Sequence, residues 1–213
     1  MNRVILTILL IFASMAAGRA QTFEVEHKHW LRSCKGKLVF GDTTIDFISE
    51  KKDHSRSWKY EDIRQLDLDS RRVVLTAYDR RKIELGADRS FTFKLLSGTI
   101  DNQLREEMEK KLQRPLVSSV LPEQMKVRFS IPARHRLVLG GTQGVLEFGE
   151  DCVIYRSEKS GDSRIWRYKE LQTIGSTGPF QLRIGALEKD YVFDLKRQMT
   201  PEEYDFIWIK VNR

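Results

Sequence analysis

The chain has little cysteine and little proline, with two and five residues of these types among 213. So few cysteines exclude a disulfide framework, and thirteen glycines without a regular period exclude a collagen-like chain. With 40% hydrophobic and 10% aromatic residues, the sequence is also too apolar for a disordered tail. It therefore predicts a folded protein whose stability comes from packed hydrophobic cores.

Long apolar runs are absent after the first twenty residues. The run at residues 4–17 is broken by only two hydroxyl residues, and its length falls short of the roughly 18 to 20 residues that cross a bilayer. Arg3 precedes it, and Gly18 and Ala20 occupy the small-residue positions of a signal-peptidase site. The sequence predicts a signal peptide at residues 1–20 and an exported protein, periplasmic or extracellular. An uncleaved N-terminal anchor is the alternative.

Neither sign of charge is concentrated along the chain. The 37 Lys and Arg residues against 30 Asp and Glu residues give a net charge of +7. Arg3 and Arg19 would leave with the signal peptide, so 35 basic against 30 acidic residues leaves +5. A nucleic-acid-binding protein is expected to carry a concentrated basic stripe, so we expect no nucleic-acid partner.

Signatures of catalysis and metal binding are also missing. The chain contains no HExxH, CxxC, Asp-rich loop or nucleophile elbow. His27 and His29 share one face of a predicted strand, and they would bind a metal only with a third donor. We expect no enzymatic activity, no cofactor and no metal, and a hydrolase with an unrecognised site stays open as an alternative.

The most informative feature present is an internal repeat at an offset of 108 residues. Residues 36–66 align without a gap on residues 144–174, and eleven of these thirty-one positions are identical, where composition alone would give about two. Even His27 aligns with His135. Further on, the offset shortens to 100, which predicts eight extra residues in a late hairpin of the first copy.

A period near one hundred residues is the size of a domain, so the chain is predicted to be a tandem duplication. The predicted domains are residues 21–113 and 131–213. Residues 114–130 are predicted to be a linker, because Pro115, Pro122 and several serines interrupt the apolar pattern.

Each copy has the pattern of short strands followed by one helix, since large apolar residues alternate with polar ones between turn residues. The predicted apolar stripe of the first helix consists of Ile100, Leu104 and Met108. The second helix is predicted to begin after Thr200, and its apolar face to consist of Tyr204, Ile207, Trp208 and Val211.

This order of elements, with a hairpin opening at residues 36–40 and a repeated Trp-x-Tyr-x-x-Ile/Leu segment, resembles the pleckstrin-homology (PH) superfamily. The GRAM-type and bacterial PH-like branches are the most similar. The resemblance implies a mainly β fold with one C-terminal helix per domain, arranged as two tandem PH-like half-open β-barrels. It also implies a non-enzymatic binding or scaffold protein with another protein as its partner, and the predicted signal peptide makes that protein an exported one.

In that family, phosphate ligands lie between the first two hairpin loops. The resemblance therefore implies a candidate anionic-headgroup site in the first copy: Arg32, Lys35, Lys37, Lys51, Lys52 and Arg56. On this basis, peripheral binding to anionic membrane lipids is the alternative function. An ordinary solvated surface is the other interpretation, since acidic residues such as Asp46 and Glu50 are interspersed with these cations.

Two aromatic pairs recur at the same place in both copies. Trp58 with Tyr60, and Trp166 with Tyr168, stand two positions apart, so each pair shares one face of its segment. A sugar or peptide platform is conceivable, but the recurrence favours core packing that the fold requires.

The two cysteines do not occupy equivalent positions. Cys34 aligns with Thr142, and Cys152 aligns with Thr44. In an oxidising compartment a disulfide between Cys34 and Cys152 would join the two copies. Otherwise both act as small hydrophobic side chains.

Overall fold

The computed structural model describes residues 20–28, 33–78, 88–112, 114 and 116–213. Within these residues the chain is mainly β, with fifteen strands and two α-helices. Neither helix combines the length and apolar character needed to cross a membrane. The predicted signal peptide lies outside the described residues, apart from Ala20.

The first half, residues 20–112, contains seven strands and one helix. The strands are β1 (Gln21–Lys28), β2 (Ser33–Phe40), β3 (Thr44–Ser49), β4 (Arg56–Lys59), β5 (Ile63–Asp69), β6 (Arg72–Tyr78) and β7 (Asp88–Leu95). They lie side by side in the order β5-β6-β7-β1-β2-β3-β4. Helix α1 (Asn102–Lys111) follows, and the side chain of Asp101 caps it by accepting a hydrogen bond from the Leu104 N–H at 2.8 Å.

A short strand, β8 (Leu116–Ser118), precedes the second half, residues 127–213. The strands of the second half are β9 (Val127–Arg136), β10 (Gly141–Gly149), β11 (Cys152–Ser157), β12 (Arg164–Arg167), β13 (Thr173–Gly178), β14 (Gln181–Gly185) and β15 (Asp190–Leu195). Their order, β13-β14-β15-β9-β10-β11-β12, is that of the first half. Helix α2 (Pro201–Asn212) follows them.

Strand pairing places aligned residues of the two copies in equivalent positions. His27 of β1 lies opposite Phe93 of β7, and His135 of β9 lies opposite Phe193 of β15. The histidines are 108 residues apart and the phenylalanines 100. Leu75 of β6 still has its counterpart Ile184 near the longer offset, so the predicted insertion falls in the β6–β7 hairpin.

Strand β8 joins the two halves into one sheet. It pairs in parallel with β5, with Leu116 opposite Leu66, and antiparallel with β12, with Ser118 opposite Ile165. The sequence predicted only a linker at residues 114–130, because a strand of three residues is too short to show an alternating hydrophobic pattern. Burial of Leu116 and Val117 holds the segment in the sheet.

The described strands form an open sheet with β4 at one edge and β13 at the other. No closed barrel is therefore formed by this part of the chain. Each half nevertheless encloses a hydrophobic core of its own, and the two cores consist of separate sets of residues.

The repeated aromatic pairs belong to these cores, as core packing predicted. Trp58 and Trp166 are both buried. The hydroxyl of Tyr60 donates to the carbonyl oxygen of Gly41 at 2.7 Å, and that of Tyr168 donates to the carbonyl oxygen of Gly149 at 3.0 Å.

The predicted apolar face of α2 was wrong at one position. Ile207 is fully buried, and Tyr204 and Val211 pack partly against the core, but Trp208 is 50% exposed. Successive residues of a helix are about 100° apart, so Phe206 and Trp208 lie on opposite sides of the inward-facing Ile207. Phe206 is the one that packs against the core, and Trp208 turns toward solvent.

Candidate functional site

A groove of about 590 Å³ lies between the two halves. Helix α1, the segment before β9, strands β11 and β12 and helix α2 all contribute to its walls. The residues that line it include Arg105, Met125, Cys152, Arg167, Lys169 and Lys210. Grooves between packed units are frequent binding sites, so this one is the candidate functional site.

One wall of the groove is an ion-pair cluster shared by the two halves. Arg105 of α1 donates from Nε to Asn102 Oδ1 at 2.8 Å and from Nη1 to Glu109 Oε2 at 3.2 Å. Arg167 of β12 forms an ion pair with the same Glu109. The side chains of Arg105 and Glu109 are only 8% and 11% exposed, so their mutual pairing compensates for lost hydration.

Cys152 and Met125 contribute sulfur atoms to the lining of the groove. The Cys152 sulfur lies 3.3 Å from the Met125 sulfur, and burial raises the pKa of the Cys152 thiol. Burial likewise raises the pKa of the neighbouring Tyr168 hydroxyl. Only the thiolate of a cysteine is a good nucleophile, so this arrangement favours binding over covalent catalysis.

The rim carries charges of both signs. Lys210 of α2 lies 3.0 Å from Glu150, and Arg128 lies 3.4 Å from the other oxygen of that carboxylate. Asp151 and Lys169 also line the groove. A rim of alternating charge complements the mixed polar groups of a polypeptide better than it complements a polyanion.

The predicted headgroup residues Lys35 and Lys37 lie within strand β2. Their cross-strand neighbours in β1 are Glu26 and Glu24. Each lysine thus has an acidic residue directly opposite it on the outer face of the sheet. A hollow of about 480 Å³ is lined by both lysines and by Ile48, whose side chain is exposed. This surface is mixed in charge rather than uniformly basic.

The other predicted cations are Arg32, which lies outside the described residues, Lys51 and Lys52 after β3, and Arg56 at the start of β4. The Glu50 N–H donates to the carbonyl oxygen of Lys35 at 3.1 Å, which holds the β3–β4 connection beside β2. Lys35 and Lys51 therefore lie toward the same end of the sheet, and Lys37 lies farther along its strand.

In the second half, the counterpart of Arg56 is Arg164, and it is engaged within the protein. Arg164 donates to the carbonyl oxygens of Gly161 and Ser163 at 2.9 and 2.7 Å and to the Tyr191 hydroxyl at 3.2 Å. It also interacts electrostatically with Asp67 of β5, in the first half. Burial raises the pKa of Asp67, and Arg164 opposes that rise.

Sequence reasoning missed a buried polar cluster in the second half. Asp162 Oδ2 lies 3.2 Å from His135 Nδ1 and also accepts a hydrogen bond from the Thr142 hydroxyl. The Tyr155 hydroxyl donates to the carbonyl oxygen of Thr142 at 2.7 Å. The repeat drew attention to His135, but Asp162 aligns with His54 and so gave no signal. These interactions satisfy buried polar groups and stabilise the core.

Of the two candidate metal ligands of the first half, the structure describes only His27. His29 lies outside the described residues, and His27 packs against the rings of Phe47 and Phe93 at centroid distances of 5.4 and 4.9 Å. No group of three His, Cys, Asp or Glu side chains in the described part of the chain is arranged to hold a metal ion.

The disulfide considered between Cys34 and Cys152 is not formed. Cys34 is buried in the first core, where its sulfur lies 3.9 Å from His27 Nδ1. Cys152 lies in the groove between the halves, beside Met125. Their different surroundings explain why the two thiols do not pair.

Comparison with known proteins adds little to this site. No protein-family model and no curated protein match the sequence. Among solved structures, the chain is similar to the C-terminal domain of an unknown protein from Leishmania infantum. That similarity has 14% identity and a TM-score of 0.32, and it covers 40% of this chain and 83% of the other.

Proposed function

We propose that this chain is an exported, non-enzymatic binding protein that holds a segment of a partner protein in the groove between its halves. The halves are two PH-like domains, each built as a half-open barrel. In support, the same order of seven strands followed by one helix occurs twice. Export rests on the signal peptide predicted from the sequence.

The groove between the halves is the observation that carries this proposal. Its volume of about 590 Å³ accommodates several side chains of a bound segment. Its wall is held in place by the Arg105, Glu109 and Arg167 ion pairs, so little ordering cost falls on binding. Its mixed rim offers charged partners to both acidic and basic residues of a polypeptide.

The test is photo-crosslinking from the rim of the groove. A photoreactive residue at Gln124 is expected to capture one partner from an extract of the compartment. Adding Lys169→Glu and Lys210→Glu reverses two rim charges and should reduce capture about tenfold. Lys28→Glu with Lys94→Glu is the matched control, because these lysines lie on the outer face of the first half. Equal capture by both double variants would rule out the groove.

A second candidate function, peripheral membrane binding, is favoured by an apolar turn between β9 and β10. Val138 and Leu139 are exposed to 103% and 92% at this turn. Exposed aliphatic side chains can insert into the apolar part of the lipid interface, and their burial there favours binding.

Co-sedimentation with neutral and anionic liposomes tests this second function. Binding through Lys35 and Lys37 should require anionic lipid, weaken with salt and be lost on their charge reversal. Binding through the turn should instead be lost in Val138→Ser with Leu139→Ser and persist at physiological salt. Absence of binding to both liposome types at low salt would exclude membrane attachment.

A further inference from the structure

In the first half, the outer edge of strand β5 is paired with a further strand of the chain. Strand β8 lies parallel to it, with Leu116, Val117 and Ser118 opposite Leu66, Asp67 and Leu68. The Ser119 N–H adds a hydrogen bond to the carbonyl oxygen of Leu68 at 2.9 Å. Strand β8 also contacts helix α1 of the same half.

The equivalent edge in the second half has no such partner. Ile174 of β13 corresponds to Leu66, and among the described strands β13 pairs only with β14. Helix α2 contacts β13, so the edge again has a helix beside it. Within the described residues, the same edge is thus paired with a further strand in the first half and has no further strand in the second.

Strand β13 lacks the charged side chains that usually protect an edge, and its pairing with β14 shifts register between Gly175 and Gly178, where Ser176 Oγ donates to the carbonyl oxygen of Gln181. No charged residue occurs between Gln172 and Arg183. A Cβ atom built on Gly175 or Gly178 would meet no atom within 4 Å, so the face of the sheet is open at these two residues. Exposed edges are normally blunted by charged side chains, proline or short strands, and glycine permits close approach of another backbone.

The other edge of the described sheet, β4, is protected in the usual way. It is four residues long and exposes the charged side chains of Arg56 and Lys59. Strand β13 therefore differs from β4 in its chemistry, although both lie at an edge.

We propose that β13 accepts an extended segment of a partner protein as an added parallel strand, in the way that β5 accepts β8. The inference rests on the proposed protein-binding function and assigns it a second contact, outside the groove. The segment is uncharged and rich in aliphatic and hydroxyl residues, as residues 116–120 are, because β13 offers no countercharge. Phe180 after β13 and Trp208 on α2 are half exposed on the flanking elements and provide apolar surface for its side chains.

The test uses an acetylated synthetic peptide with the sequence of residues 115–121, added to the purified ¹⁵N-labelled protein. We expect amide shifts and slowed hydrogen exchange at residues 173–178, together with a shift of the Trp208 indole signal. Changes confined to β5 and β8 would mean strand exchange in the first half and would overturn the inference.

Lysine substitutions on β13, compared with a lysine substitution on β9, test the assignment further. Ser176→Lys and, independently, Thr173→Lys should weaken peptide binding about tenfold, because a lysine on an edge strand obstructs pairing. Ser130→Lys adds the same charge to an exposed position of the central strand β9 and should leave binding unchanged. Thermal unfolding monitored by circular dichroism verifies that each variant is folded. Equal affinity of the edge variants and the control would contradict the assignment.

The experiments distinguish failure of the groove as a binding site from failure of strand addition at β13. If crosslinking from Gln124 depends on Lys169 and Lys210 but the peptide leaves β13 unchanged, only the strand-addition site is wrong. If the peptide protects β13 while the groove variants capture the partner normally, the groove is wrong and strand addition stands.

Discussion

Gly36 shows how a single residue can be required without contributing a side chain. A Cβ atom at this position would lie 2.3 Å from the carbonyl oxygen of Ile48 and 2.7 Å from the ring of Phe47. At the equivalent Gly144, the added atom would lie 2.8 Å from the ring of Tyr155. The glycine is identical in both copies because the neighbouring strand and its aromatic ring pass directly over it.

Gly36→Ala is therefore expected to lower the free energy of unfolding by about 1–3 kcal/mol, since the strand or the ring must move. Chemical denaturation measures the change. Gly175→Ala is the control, because its new Cβ would meet nothing within 4 Å. A loss of stability in the control as large as in Gly36→Ala would contradict the close-contact explanation, because reduced backbone entropy of the unfolded chain makes a Gly→Ala replacement stabilising where the added Cβ has room.

The start of helix α2 is specified by residues close together in the sequence, which form a capping box. The Glu203 N–H donates to Thr200 Oγ1 at 3.2 Å, and the Thr200 N–H donates to Glu203 Oε2 at 3.0 Å. Arg197 adds two hydrogen bonds to the Glu203 carboxylate, at 2.7 and 2.8 Å. The capping box was predictable from spacing, whereas the part played by Arg197 depends on the turn that brings it back.

Glu203→Gln should lower the free energy of unfolding by about 1 kcal/mol at neutral pH. Hydrogen bonding to Arg197 lowers the pKa of Glu203, so the carboxylate stabilises the fold above its unfolded-state pKa. That contribution is lost as the pH falls through the folded-state pKa, and the two proteins should converge in acid. Urea denaturation across pH measures this, with Asp205→Asn on the exposed side of α2 as control. A difference that is independent of pH would contradict the ionic origin.

At the scale of the whole molecule, Glu109 connects the two halves. Because Arg105 and Glu109 are both largely buried, Glu109→Ala leaves a guanidinium without its main countercharge. Breaking a buried pair by removing one partner costs about 3–5 kcal/mol. We expect a loss near the lower value, since Glu106 and Asn102 still contact Arg105.

Calorimetry of the Glu109→Ala variant measures this loss of stability. We also expect the two halves of this variant to unfold in separate steps. Glu61→Ala is the control, because it breaks the Lys59–Glu61 pair, whose side chains are exposed and whose contribution is about 0–1 kcal/mol. A single, unchanged transition in Glu109→Ala would mean that the pairing of β8 and the Asp67–Arg164 contact couple the halves without Glu109.

Asp67, at the second contact between the halves, should have a pH dependence of the opposite sign to Glu203. Burial raises the pKa of Asp67, so its ionisation opposes folding, and its contribution to stability is lost as pH rises through the folded-state pKa. Asp67→Asn should therefore become progressively more stable, relative to the unaltered protein, as the pH rises from about 3 to about 6. Urea denaturation over that range tests the sign. A variant that becomes relatively less stable would show that pairing with Arg164 outweighs burial.

Much of the fold was predictable because it is local and occurs twice. Strands β10 to β12 occupy positions 108 residues after β2 to β4, as the ungapped alignment implies. The burial of Trp58 and Trp166 was predictable for the same reason. The lysines of the predicted headgroup site were identified by type, but their acidic neighbours Glu24 and Glu26 depend on strand register, which the alignment does not reveal.

The sequence by itself determined the duplication, the mainly β character of both halves, the helix at the end of each and the capping of α2. These features follow from periodicity and from contacts between residues close in the chain. Only the tertiary structure decided that β8 joins the halves, that Glu109 lies between Arg105 and Arg167, and that a groove forms there. Such contacts join residues far apart in sequence, and their geometry depends on how two separate cores pack together.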